Sequence, residues 1–202
     1  MGLHPAVRLR RDVSDGRQLS DGVAVKYFRR VMDGIDVAAL LAQAEAIPDP
    51  WPKDPYWLQH KKGSVLYAQD NLVLRYMLAP GHTRPVFYDL PAARKIVLDL
   101  MAALQGAVLG TVVISKLRPG ESIVSHVDSW RHPVPQLYQR HQVPLRAAPG
   151  VVFRCGPERF NMTEEQYMEP GEAWWFNNQA WHEVVNDSAE DRISMFCDVA
   201  YL

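Results

Sequence analysis

The sequence predicts a mainly β protein with N-terminal helices, its C-terminal part folded as a double-stranded β-helix of the jelly-roll, cupin-like kind. Two observations carry this. From Gly110 onward, short runs rich in β-branched and aromatic residues alternate with turn residues at even spacing, the pattern of a sandwich or small barrel and not of strand–helix alternation. Both stretches with apolar residues at helical spacing lie before that point. A chain of 202 residues fits one domain, 1–202, with 1–109 as a supporting region and 110–202 as the β-helix core.

In the supporting region, Asp36 is positioned to cap a helix through Val37, Leu40, Leu41 and Ala44, stopped by Pro48. Pro48–Pro55 holds too many prolines for regular structure. Asn71–Leu78 reads as a strand. Pro91 opens a second helix, with Ile96, Val97, Leu100, Met101 and Leu104 on one stripe and Gly106 as its stop. The expected strands of the core are Thr111–Leu117, Ser122–Val127, Leu137–Leu145, Val151–Cys155, Ala173–Phe176, Trp181–Val185 and Ile193–Val199. Pro119-Gly120, Pro149-Gly150 and Pro170-Gly171 mark turns.

The bulk numbers narrow the function classes. A net charge of -1 gives no bulk attraction to nucleic acid. No apolar run is long enough to cross a bilayer, and the N-terminus lacks a signal pattern. Cys155 and Cys197 form neither a disulfide framework nor a metal motif, so a cytoplasmic location is expected.

One constellation carries chemistry. Asp128 follows His126 by two, and residues two apart on a strand share a face. His182 lies on a later strand that a β-roll can bring across from the first. Two imidazoles and one carboxylate on one side of an ion leave positions open, the arrangement of non-haem Fe(II) oxygenases. His126-x-Asp128 alone is weak, since an isolated histidine is more often a core or surface residue. The expectation gains from Arg192, ten residues beyond His182 and after the turn Asn186–Asp191. A planar guanidinium suits the far carboxylate of a dicarboxylate cosubstrate. A surface pairing of Arg192 with Glu190 or Asp191 is the plainer alternative.

Three stretches then identify a resemblance: ISKLRPGESIVSHVD (Ile114–Asp128), YQRHQVPL (Tyr138–Leu145) and EPGEAWWFNNQAWHEVVNDSAEDRISMFCDV (Glu169–Val199). In order and spacing they resemble the aspartyl/asparaginyl β-hydroxylase-like family of Fe(II)/2-oxoglutarate oxygenases, over roughly the C-terminal 40% of the chain. The resemblance implies Fe(II) as cofactor with 2-oxoglutarate and O2 as cosubstrates. It implies His126, Asp128 and His182 as iron ligands, and Arg192, Ser115 and His141 as cosubstrate-binding residues. Animal members lack the carboxylate ligand, so Asp128 makes this chain more similar to the bacterial branch acting on free amino acids. Some members carry an arginine two residues before the position matched to His141. Here Gln139 stands there, followed by Arg140.

The activity implied is oxidative decarboxylation of 2-oxoglutarate with hydroxylation of an unactivated C–H bond in a small, amino-acid-like substrate. Arg118, Gln139, Arg140, Trp130 and Arg75 are candidate substrate contacts, with Arg154, Lys116, Lys62 and Trp181 as further options. Ser129–Gln136 reads as a lid in which His132 is no ligand, and Asn178 and Glu183 as outer partners of the iron ligands. A peptide or protein side chain is an alternative substrate. A non-catalytic cupin-like metal-binding module and a sugar-binding jelly roll are alternatives of another class.

Overall fold

A computed structural model describes residues 27–51, 70–75, 83–106, 108–128 and 138–200. Ten strands and three helices occupy these residues: β1 (Phe28–Met32), α1 (Ala38–Glu45), β2 (Asp70–Arg75), α2 (Pro85–Asp89), α3 (Pro91–Leu104), β3 (Val108–Leu117), β4 (Ser122–His126), β5 (Tyr138–Arg146), β6 (Val151–Gly156), β7 (Glu164–Gln166), β8 (Ala173–Phe176), β9 (Trp181–Asn186) and β10 (Arg192–Ala200). The strands form a six-stranded sheet, β1-β8-β5-β10-β3-β2, and a four-stranded sheet, β4-β9-β6-β7. All pairings within the sheets are antiparallel. This is the expected mainly β jelly roll with helices before it.

The central strand β10 divides the interior into two, because all nine of its residues are buried. Ile193, Met195, Cys197 and Val199 pack with Leu40 and Ala44 of α1, Phe87 of α2, and Ile96, Val97, Leu100 and Leu104 of α3. By strand alternation Arg192, Ser194, Phe196 and Asp198 turn the other way, into the space between the sheets. There Leu117, Ile123, Val151, Phe153, Phe176 and Val184 form a second cluster. The helices thus cover one face of the larger sheet, and the other face lines the roll.

Three boundaries differ from expectation for identifiable reasons. Val37 occupies the N-cap position of α1, yet Asp36 still accepts a hydrogen bond from the Ala38 N–H at 3.2 Å. α3 ends one residue early, with Gln105 in the left-handed region (φ 53°) and the Gly106 N–H bonded to the Met101 carbonyl. β2 is described from Asp70 to Arg75, and the rest of the expected strand lies outside the described residues. The short α2 and the edge strands β1 and β7 were not expected.

Two glycines permit close or left-handed turns. Gly120, at φ 75°, closes the β3–β4 turn. At Gly156 a Cβ would lie 1.9 Å from the Asn161 carbonyl oxygen, so only glycine fits where the chain folds back after β6.

The pairing of β5 corrects one expected assignment. His141 stands opposite Cys197 on β10 and Trp175 on β8. Cys197 belongs to the helix-covered core, so His141 lies on that face and not on the one lining the roll. Gln142, one residue on, takes the inward position and donates to Ser194 Oγ. His141 is completely buried, and neither ring nitrogen has a partner of good hydrogen-bond geometry among the described residues. Burial, reinforced by the Arg29 charge, pushes its pKa down to about 3, and backbone groups of Cys197 and Gln139 offset this only in part.

Two outcomes are expected. Leu100 is fully buried, so Leu100→Ala costs about 2–5 kcal/mol in urea denaturation, with an unchanged m-value. His141 resists protonation in the folded chain, whereas the unfolded chain takes the proton near pH 6.5. Its contribution to stability is therefore complete above that pH and is lost as pH falls toward 3. The stability of wild type, measured from pH 6 to pH 4, should fall relative to His141→Leu by about 1 kcal/mol per pH unit. Parallel curves would show that His141 does not titrate this way.

Candidate metal centre

The two histidines meet through sheet register. β4 runs antiparallel to β9, and His126 pairs directly with His182. Their ring centroids lie 4.2 Å apart. Each Nδ1 sits against the backbone carbonyl two residues earlier: His126 with Val124 at 2.8 Å, His182 with Ala180 at 3.0 Å. A carbonyl only accepts, so each Nδ1 carries the hydrogen and each Nε2 keeps a lone pair. Phe176, edge-on at 5.2 Å, and Phe153, stacked at 6.1 Å, pack around the His182 ring.

Asp128 lies two residues beyond the end of β4 and is held from two sides by Asn178. The Asp128 N–H donates to the Asn178 carbonyl at 3.1 Å, and Asn178 Nδ2 donates to Asp128 Oδ2 at 3.1 Å. Oδ1 lies 3.7 Å from His126 Nε2 and 4.0 Å from His182 Nε2. One donor atom from each residue falls within 4.8 Å of the others. Two neutral imidazoles and a carboxylate form a borderline donor set that suits Fe(II) and related divalent ions. Burial pushes the pKa of His182 down to about 4, against the pull of Asp128, so at neutral pH its lone pair is available. Burial alone would raise the Asp128 carboxyl. The Arg140 charge, the two imidazoles and the Asn178 hydrogen bond outweigh it and hold the group below the usual carboxylate range.

Arg192 is the second element of the site. It is 4% exposed, and its Nη1 has no hydrogen-bond partner among the described residues. Burial lowers its pKa to about 10, so it remains charged at neutral pH. It lines a small cavity between the sheets together with Val151, Phe153, Gln166 and Val184. A buried cation without an anion is costly, by several kcal/mol, and an incoming carboxylate would relieve that cost. Ser115 stands opposite Ser194 and shares the inward face with Arg192; its hydroxyl reaches the Ser194 carbonyl at 3.4 Å.

The other expected contacts are placed elsewhere or are already engaged. Arg140 bonds Asp198 through Nε (2.7 Å) and Nη2 (2.9 Å), and Asp128 Oδ2 through Nη1 (2.7 Å). These contacts set it beside Asp128 of the candidate metal centre; a substrate-carboxylate role was expected. Gln139 pairs with Val199 on the helix-facing side. Arg118 pairs with Asp70 at 2.8 Å and Asp49 at 3.3 Å, and Lys116 with Asp49 at 2.9 Å. Arg75 donates to the Leu109 carbonyl and Thr83 Oγ1. Arg154 pairs with Glu165 and Glu183, so Glu183 orients neither imidazole. Trp130, Lys62 and the expected lid at 129–136 lie outside the described residues.

Residues missed by sequence reasoning are Gln142, Ser194 and Asp198. The signal for Asp198 was present: a lone carboxylate in an apolar strand, six residues from Arg192 and hence on its face.

No curated protein matches the chain. Among solved structures, similarity extends to an oxidoreductase of the 2OG-Fe(II) oxygenase family from Burkholderia pseudomallei, at 17% identity and TM-score 0.55, over 83% of this chain and 79% of that one. The viral collagen prolyl hydroxylase of Paramecium bursaria Chlorella virus-1 is similar at 13% identity and TM-score 0.50, over 88% and 97%. The α-ketoglutarate-dependent epimerase SnoN of nogalamycin biosynthesis is similar at 14% identity and TM-score 0.57, over 86% and 75%. These likenesses show the shared fold. Residues 64–201 match the family model described as aspartyl/asparaginyl β-hydroxylase, and on that match the chain belongs to this family of Fe(II)/2-oxoglutarate oxygenases.

Proposed function

We propose that the chain is a hydroxylase of an unactivated C–H bond in a small substrate, such as a free amino acid or a related metabolite, with His126, Asp128 and His182 as its iron ligands. One observation carries the reading: a preformed His–Asp–His set opens into the same interior that holds the buried, uncompensated cation of Arg192. When bound, Fe(II) with 2-oxoglutarate and O2 supplies the oxidising power, releasing succinate and CO2 as oxygen enters the C–H bond. The chain's own residues supply placement. Arg192 receives the far carboxylate of 2-oxoglutarate as a fork, and Ser115, Ser194 and Gln142 offer polar atoms on the same face. Phe153, Phe176 and Val184 keep the metal side of the roll dry, which strengthens each charge interaction there.

A peptide or protein side chain as substrate is the second reading. Phe160, 90% exposed in the turn after β6, favours it. Ser125, next to His126, donates to the Arg159 carbonyl at 2.9 Å, which ties that turn to the metal-bearing strand. An exposed aromatic side chain in a turn tied to that strand suits contact with a longer substrate.

Succinate formation, scanned against free amino acids and then against peptides, tests the reading. Stimulation by free amino acids is expected, and stimulation by peptides alone would replace the first reading with the second. Arg192→Lys is expected to weaken 2-oxoglutarate binding by about 10- to 100-fold in calorimetry, from the ~1.5–3 kcal/mol of a charge-assisted hydrogen bond. Cobalt affinity should stay near wild type. Unchanged 2-oxoglutarate affinity would remove Arg192 as the anchor.

A further inference from the structure

We infer that Arg140 is a positioning residue of the metal centre: anchored by Asp198, it occupies Oδ2 of Asp128 and leaves Oδ1 to meet the cation. The inference rests on the reading of His126, Asp128 and His182 as metal ligands. Two opposed grips on one guanidinium carry it. Asp198, 1% exposed on the central strand, takes Nε and Nη2 in a paired fork, which fixes the plane and reach of the group. The third nitrogen, Nη1, then falls 2.7 Å from Asp128 Oδ2. The guanidinium also lies over the Phe196 ring at 4.4 Å, so packing restrains the same plane.

Asn178 adds a second donor to Oδ2, and its carbonyl fixes the Asp128 backbone. With two donors on Oδ2, the carboxylate is oriented before any ion arrives, and Oδ1 is the oxygen that faces both Nε2 atoms. The buried charge of Asp198 has a further effect. It shares the Arg140 charge with Asp128, so Arg140 neutralises neither carboxylate fully. Arg140 and Asp198 pair across strands, Asp198 standing opposite Arg140 in the sheet, so the anchor belongs to the register of β5 and β10 and not to a loop. A consequence follows for specificity: three contacts commit this arginine to the protein's own carboxylates, and the substrate's charged groups are met by other residues.

Cobalt(II) binding without 2-oxoglutarate tests the inference, read as affinity and as the visible ligand-field spectrum. In Arg140→Lys, where a point charge replaces the fork, and in Asp198→Asn, affinity should fall about 10- to 100-fold, with a changed spectrum. Arg140→Met alone strands the buried Asp198 charge and endangers folding. The double variant Arg140→Met/Asp198→Leu removes both charges, and the same loss is expected in it. In an Asp128→Ala background, Arg140→Lys should cause no further loss. Wild-type affinity and spectrum in folded Arg140→Lys, or an equal loss with Asp128 already removed, would overturn the inference. A rise in substrate KM with cobalt binding intact would return Arg140 to substrate recognition. Absence of cobalt binding by wild type itself would overturn the metal reading, and the inference with it.

Discussion

The register of β4 against β9 is the constraint on which the centre depends. Asn186, fully buried at the end of β9, sets it. Its Nδ2 donates to the carbonyls of Leu117 and Glu190, while its backbone N–H bonds the Glu121 carbonyl and its own carbonyl accepts from Gly120. One side chain thus ties the β3–β4 turn to the β9–β10 turn. From that pinned end the ladder runs Ser122 to Val185 and Ile123 to Val184, and a one-residue irregularity between Ile123 and His126 then sets His126 opposite His182. A slip of one residue would send one imidazole to the outer face, where Glu183 and Arg154 already pair.

The larger sheet imposes the complementary constraint. β10 must present apolar side chains to the helices at every second position, which frees the intervening positions for chemistry. Arg192, Ser194, Phe196 and Asp198 are those positions, and three of the four are polar. Their partners on β5 and β3, Arg140, Gln142 and Ser115, follow from pairing. The helices are therefore indirect participants. By burying Ile193, Met195, Cys197 and Val199 they hold the strand that carries Arg192, the proposed cosubstrate anchor, and Asp198, the partner of Arg140.

Sequence periodicity made the roll legible because its inner strands are buried and β-rich. The two strands it missed are edges of their sheets: β1 (FRRVM), with two arginines in its middle, and β7 (EEQ), only three residues long. Charged and short strands are what edges require, and they erase the signal that identifies a strand. The candidate metal-ligating group was legible since two of its members share a short motif, although Asp128 owes its place to Asn178 and not to strand alternation alone. His141 failed for the reason that period-2 patterns fail: adjacent residues on a strand face opposite ways. Resemblance locates such a segment without fixing which face each residue takes, and here Gln142, not His141, faces the roll. Arg140 could not be resolved from sequence at all, because its partners Asp128 and Asp198 lie 12 and 58 residues away.

Charge accounting connects these features. Among the described residues, the face of the larger sheet that lines the roll and the metal site hold two guanidinium cations, Arg140 and Arg192, and two carboxylates, Asp128 and Asp198. They balance in number but not in position: Arg140 is shared by both carboxylates, and Arg192 has no carboxylate partner among the described residues. In the proposed reading a divalent cation settles beside Asp128 and leaves the interior two charges positive, an unfavourable condition at low dielectric. A dicarboxylate spanning the metal and Arg192 restores neutrality and gives Arg192 its missing partner. A monocarboxylate would do neither fully, so the cavity selects a dianion through the separation of its positive charges before any shape contact is made. By the same balance, metal and cosubstrate favour each other's binding, each removing the uncompensated charge that the other creates.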